Sequence, residues 1–110
     1  MKNKQSSLWV ANEALRKKSN LYNFCKILNK KKLYKKKENF NDLWKWSVRK
    51  PEVFWSEVWN FTKIKGIKGK KILKKNKIFY KNNFFPDSKL NYAENLLSKR
   101  NSEIALNFFS

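Results

Sequence analysis

The chain has 110 residues, 41% of them hydrophobic and 16% aromatic; that is too many large apolar groups for an intrinsically disordered segment, so one domain with a core is expected. Twenty-seven Lys and Arg against eight Asp and Glu leave a formal charge of +19, a balance that attracts polyanions by counterion release. A single cysteine, Cys25, has no internal disulfide partner, and the lack of any histidine removes the usual zinc sets and imidazole acid–base chemistry.

No run approaches the eighteen or so apolar residues of a membrane span. Residues 1–7 are polar and lack the apolar stretch of a signal peptide, so the expected compartment is the cytoplasm. Only Arg16, Arg49 and Arg100 are arginines. Lysine is a poor match for the bidentate recognition of bases and phosphates, and a solvated lysine surface is the plainer reading of the charge.

Leu8, Trp9 and Val10 form a short apolar anchor in a polar leader. Ser19 then offers an N-cap to a helix that places Leu21, Phe24, Cys25 and Leu28 on one face, with Lys26 and Lys30 opposite. Cys25 lies inside that stripe and reads as a buried, inert thiol. The lysine run over 30–37 is interrupted by Leu33 and Tyr34. It reads as a helix end entering a solvated loop, with single-stranded nucleic acid stacking on those two side chains as the alternative.

From Phe40 the chain is dense in tryptophan, and two helices are indicated. Asn41 or Asp42 suits the cap of the first, and Pro51 the first turn of the second, where its missing N–H costs nothing. In the second, Phe54, Trp55, Val58, Trp59 and Phe61 occupy an arc of roughly 160°. With Trp44 and Trp46 they carry more aromatic area than one short helical layer is expected to cover, which makes them candidates for a docking surface. The Ile64–Lys71 stretch fails as a phosphate loop, because its two glycines are too close and Lys71 stands where a Ser or Thr must hold magnesium; it reads as a flexible basic connector. Ile78, Phe79 and Tyr80 read as a short strand.

Residues 84–97, FFPDSKLNYAENLL, run two aromatics into a Pro-Asp-Ser turn. Asn91 caps a short helix with Ala93, Leu96 and Leu97 on one side. After a polar break, residues 103–110 alternate like a strand that has no partner in a helical domain. The fold class expected is mainly α, with short strand-like pieces.

Two stretches carry a resemblance. Leu43, Trp44, Lys45, Trp46, Ser47 and Val48, then Pro51, Glu52, Phe54 and Trp55, then Val58, Trp59 and Phe61, resemble the N-terminal pattern of acetoacetyl-CoA synthetases. The segment FPDSKLNYAENLL resembles their passage into the adenylate-forming core, although Phe84-Phe85 replaces the usual Trp-Phe. The resemblance implies an N-terminal domain over 1–102 and, over 103–110, the first strand of an α/β adenylating domain. It implies that the full-length enzyme uses ATP, magnesium and coenzyme A to convert acetoacetate to acetoacetyl-CoA through an acyl adenylate. The family's catalytic and cofactor-binding residues all lie downstream, so none falls on a residue here and the chain alone is expected to bind no cofactor or metal and to be inactive. The partner implied is the adenylating domain, in the same or a separate chain, met by Trp44, Trp46, Phe54, Trp55, Trp59, Phe61, Phe85, Leu90, Asn91 and Tyr92. No membrane partner is expected, and nucleic acid only as non-specific, salt-sensitive binding; a small lysine-rich nucleic-acid-binding protein is the alternative.

Overall fold

A computed structural model describes residues 8–109. The polar leader over 1–7 and the last residue of the 103–110 stretch lie outside the described residues. The chain is mainly helical and divides into two compact units, with the division after Glu57, inside its fourth helix.

In the first unit, α1 (Glu13–Lys18) and α2 (Asn20–Lys30) meet at Ser19. One serine serves both, since its Oγ donates to the Arg16 carbonyl at 2.7 Å and accepts from the Tyr22 N–H at 3.2 Å. The Asn12 side chain caps α1, a helix the apolar periodicity did not announce because none of its residues is buried. Phe24, Cys25 and Leu28 are the buried face of α2, as expected, and Leu28 is fully enclosed. Burying that leucine is worth about 1.5–3 kcal/mol.

α2 ends in a Schellman motif. The Leu33 N–H bonds back to the Leu28 carbonyl at 3.0 Å, with Lys32 left-handed at φ 58°, a conformation glycine normally supplies. The turn sends the lysine run back along α2, where Asn29 Nδ2 donates to the Cys25 carbonyl at 2.7 Å and the Lys36 carbonyl at 3.0 Å. α3 (Phe40–Arg49) starts earlier than expected: its cap is Asn39, whose Oδ1 accepts from the Asp42 N–H at 3.1 Å, rather than Asn41 or Asp42. Capping from Asn39 puts Asp42 at the third helical position, where its charge meets the positive dipole end. α4 (Pro51–Phe61) begins at Pro51, as its fixed φ favours.

In the second unit, α4 closes with another Schellman-type turn, Ile64 N–H to Trp59 carbonyl at 3.3 Å, with Lys63 at φ 54°. The stretch expected to be a flexible connector is instead an ordered arm running antiparallel to residues 83–95. Ile67 and Lys89 exchange backbone bonds of 2.7 and 2.9 Å, and β1 (Leu73–Lys74) pairs with β2 (Asn83–Phe84) in the register Leu73 to Phe84. The two glycines permit this approach: a Cβ on Gly66 would lie 2.6 Å from the Lys89 carbonyl oxygen, and one on Gly69 2.9 Å from the Asp87 Cβ. Ile78–Tyr80 is not a strand, since Phe79–Lys81 forms a 3₁₀ turn at the tip of the β1–β2 hairpin. The Pro-Asp-Ser turn forms, with the Ser88 N–H bonded to the Phe85 carbonyl at 3.0 Å. Asn91 caps α5 (Tyr92–Leu96). Residues 104–109 have no regular structure and are exposed; a strand forms only against a neighbouring edge, and among the described residues none pairs with them.

Candidate functional site

The ten residues singled out from the sequence separate into covered and exposed groups. In the first unit Trp46 and Phe54 are half-buried in one aromatic cluster. The Phe54 ring stands edge-on to Phe24 at 5.9 Å, to Trp46 at 6.2 Å and to Trp55 at 5.2 Å. In the second unit Trp59 is buried and packs on Phe85 at 4.9 Å, while Phe61 is half-buried. Part of the tryptophan-rich stripe is thus covered within its own unit: the loop carrying Tyr34 lies on Trp46, and Phe85 lies on Trp59, cover that a single helical layer lacks.

What remains exposed falls on two faces. On α3, Phe40, Trp44 and Val48 recur every fourth residue and form one stripe, with Trp44 56% exposed. At about 100° per residue, the apolar and half-covered arc of α3 spans roughly 200°, and only the half centred on Leu43 and Trp46 is used by the core. On the second unit, Leu90, Tyr92, Leu96 and Leu97 are exposed together along α5 and its entry, with Tyr92 at 75%. Asn91 spends its side chain on the helix cap, accepting from the Glu94 N–H at 3.1 Å. The residue that fixes this helix is Asn95, which the sequence reading did not single out. Its amide receives the Lys65 N–H at 2.7 Å and donates to the Lys65 carbonyl at 2.8 Å, closing a side-chain ladder across thirty residues. Trp55 retains 40% exposure on α4.

Of Leu33 and Tyr34, the two side chains that the alternative reading stacks on a base, Leu33 is exposed and the structure removes Tyr34 from that role. The residue is buried against Trp46 at 5.5 Å, and burial, then the neighbouring Cys25 and Asp42, raise its phenol above the ordinary range. Cys25 is likewise raised, first by burial and then by the Glu38 carboxylate, which makes it the inert thiol expected. Glu38 is held below the usual carboxylate range by a hydrogen bond from its own backbone N–H and by one from Arg16, with which it forms an ion pair. A second pair distant in sequence joins Lys31 to Glu57 at 2.6 Å, so Glu57 faces α2 rather than solvent.

Among the described residues no three His, Cys, Asp or Glu side chains are grouped to hold a metal ion. The Gly66–Gly69 backbone is committed to the 87–90 strand and cannot cradle phosphates. A shallow cleft of about 280 Å³ lined by Tyr34, Trp46, Asp42, Arg49 and Lys50 has an apolar wall and a cationic rim, but its Asp42 is paired with Lys36 at 3.0 Å. Among the described residues no helix is long and apolar enough to cross a membrane.

Comparison with known proteins finds acetoacetyl-CoA synthetases. Over 63 residues, 57% of the chain, it is 43% identical to the acetoacetyl-coenzyme A synthetase of Rhizobium meliloti (strain 1021), of which it covers 10%. It is 40% identical over 72 residues to the enzyme of Macaca fascicularis and 42% identical over 71 residues to that of Xenopus tropicalis, covering 11% of each. The chain thus spans about a tenth of the length of the curated relatives it matches. No protein-family profile matches the chain, and no solved structure does.

Proposed function

We propose that the chain is the N-terminal part of an acetoacetyl-CoA synthetase-like acyl-CoA ligase, and that its work is structural: it docks on the adenylating domain, of the same or a separate chain. The observation that carries this reading is the 37–43% identity to acetoacetyl-CoA synthetases over about three fifths of the chain. In that reading the whole ligase joins acetoacetate to coenzyme A at the expense of ATP, with magnesium, in the cytoplasm. This chain supplies none of the groups that hold those reactants.

The docking role is supported by what the core leaves uncovered. The Phe40, Trp44 and Val48 stripe and the Leu90, Tyr92, Leu96 and Leu97 row are ordered apolar faces on capped helices. Exposed apolar rows of this kind suit an interface. The second row belongs to the LNYAENLL segment, which in the resemblance leads into the adenylating core.

The test is complementation. The Rhizobium meliloti synthetase shortened by its matching stretch is assayed for acetoacetate- and CoA-dependent AMP formation, alone and with the purified chain added. The chain alone is expected to be silent, and its addition to raise the activity of the shortened enzyme. Turnover by the chain alone, or a shortened enzyme indifferent to it, would overturn the reading.

A further inference from the structure

The β1–β2 hairpin carries a feature that the ligase reading does not use. From Val58 to Pro86 the chain has nine lysines and no acidic residue, and six of the nine, Lys70, Lys71, Lys74, Lys75, Lys77 and Lys81, lie on the hairpin arms and loop. At the tip stand Phe79 and Tyr80, 87% and 81% exposed. These rings are not on a loose loop. The Asn82 Oδ1 accepts from the Asn76 N–H at 2.7 Å, the Asn76 Oδ1 from the Ile78 N–H at 2.9 Å, and the Lys81 and Asn82 N–H groups bond back to the Ile78 and Phe79 carbonyls at 3.0 and 3.1 Å. Four hydrogen bonds hold two large aromatic side chains out in water, where they contribute almost nothing to the core.

We propose that this hairpin tip binds single-stranded nucleic acid, with Phe79 and Tyr80 as a stacking platform and the flanking lysines neutralising the phosphates. Two adjacent exposed rings on a hydrogen-bonded turn flanked by lysines are the elements of sequence-tolerant single-strand recognition: every base has a π-face, and a lysine neutralises any phosphate. A duplex keeps its bases stacked on one another and offers the rings nothing, so the preference is for single strands. Bilayer insertion fits less well, because two aromatics and the half-exposed Ile78 present little apolar area against six cations, whereas stable interfacial anchoring needs a broad apolar face.

The test must separate stacking from bulk charge, because a chain of +19 attracts any polyanion. Fluorescence anisotropy of labelled oligo-dT and oligo-rU, a duplex of matched length and anionic phosphatidylserine vesicles is measured with the full chain, Phe79→Ala, Tyr80→Ala, and a Lys74, Lys75, Lys77 and Lys81 to Gln variant. The expected result is single-strand binding at least several-fold tighter than duplex. Each ring substitution should weaken it by about tenfold without altering the dependence on salt. The lysine variant should flatten that dependence, each lost phosphate contact removing about 0.7 from the slope. Binding that is equal for both strand states and unmoved by the ring substitutions would reduce the effect to charge, and tight vesicle binding lost in the same ring variants would assign the tip to membranes; either overturns the proposal. Both rings are exposed, so an unchanged thermal unfolding profile verifies that the variants fold.

Discussion

Replacing Gly66 with alanine probes the element that holds the 83–95 segment in place. Gly66 adopts φ 148°, and an added Cβ would meet the Lys89 carbonyl oxygen at 2.6 Å, the Leu90 Cβ at 2.7 Å and the Leu90 Cα at 3.1 Å. Two of those three atoms are backbone, so the arm must move away from its partner rather than a side chain swing aside. The strained φ costs about 1–3 kcal/mol. The two Ile67–Lys89 backbone bonds at risk are worth about 0.5–1.5 kcal/mol each. A loss of about 2–6 kcal/mol is therefore expected, a large share of the roughly 5–15 kcal/mol that a domain of this size commands. Urea unfolding followed by tryptophan fluorescence gives the magnitude, and amide exchange at Ile67 and Lys89 gives the place. Gly66→Ala within about 0.5 kcal/mol of the parent, with both amides still protected, would refute the antiparallel arm.

Lys32→Gly should stabilise the chain by up to about 1 kcal/mol, because a left-handed lysine at the end of α2 carries a penalty that glycine escapes; unchanged denaturation midpoints would contradict the Schellman turn there. Cys25, buried and with its thiol pushed up, should react with a thiol reagent near neutral pH at the rate of structural opening, so urea should accelerate labelling long before it alters a free thiol's reactivity. Glu38 is depressed in the folded chain, so its contribution is fully present above the ordinary glutamate range and is lost as pH falls through its lower folded value. A carboxylate NMR titration should show that low midpoint, and Arg16→Gln should raise it.

The helical part of the fold was legible because its information is local. Ser19, Pro51 and Asn91 announce helix starts through their own side chains, and Leu21 to Leu28 announce a buried face through period 3.6. The rest depends on pairings distant in sequence. Gly66 and Gly69 mark a close backbone approach, yet nothing near them in the chain says that the strand approached is 85–90. Tyr34 looked like a free ring in a lysine run because the left-handed turn at Lys32 that returns it to Trp46 is made by a residue that rarely adopts it. Among the candidate docking residues, Trp44, Leu90 and Tyr92 are exposed as a docking role requires. Trp46, Phe54 and Trp59 are covered within their own units, a distinction that helical periodicity alone does not draw.

A docking role requires that an adenylating partner cover the two exposed faces. Thermal unfolding of the chain is measured alone and with the Rhizobium meliloti synthetase shortened by its matching stretch, for the parent, Trp44→Ala and Tyr92→Ala. Alone, both substitutions should change stability by less than about 1 kcal/mol, since the side chains are largely in solvent. With the partner, the parent should melt at higher temperature by mass action, and each substitution should remove much of that gain. A parent chain that melts at one temperature with or without the partner would contradict the docking account.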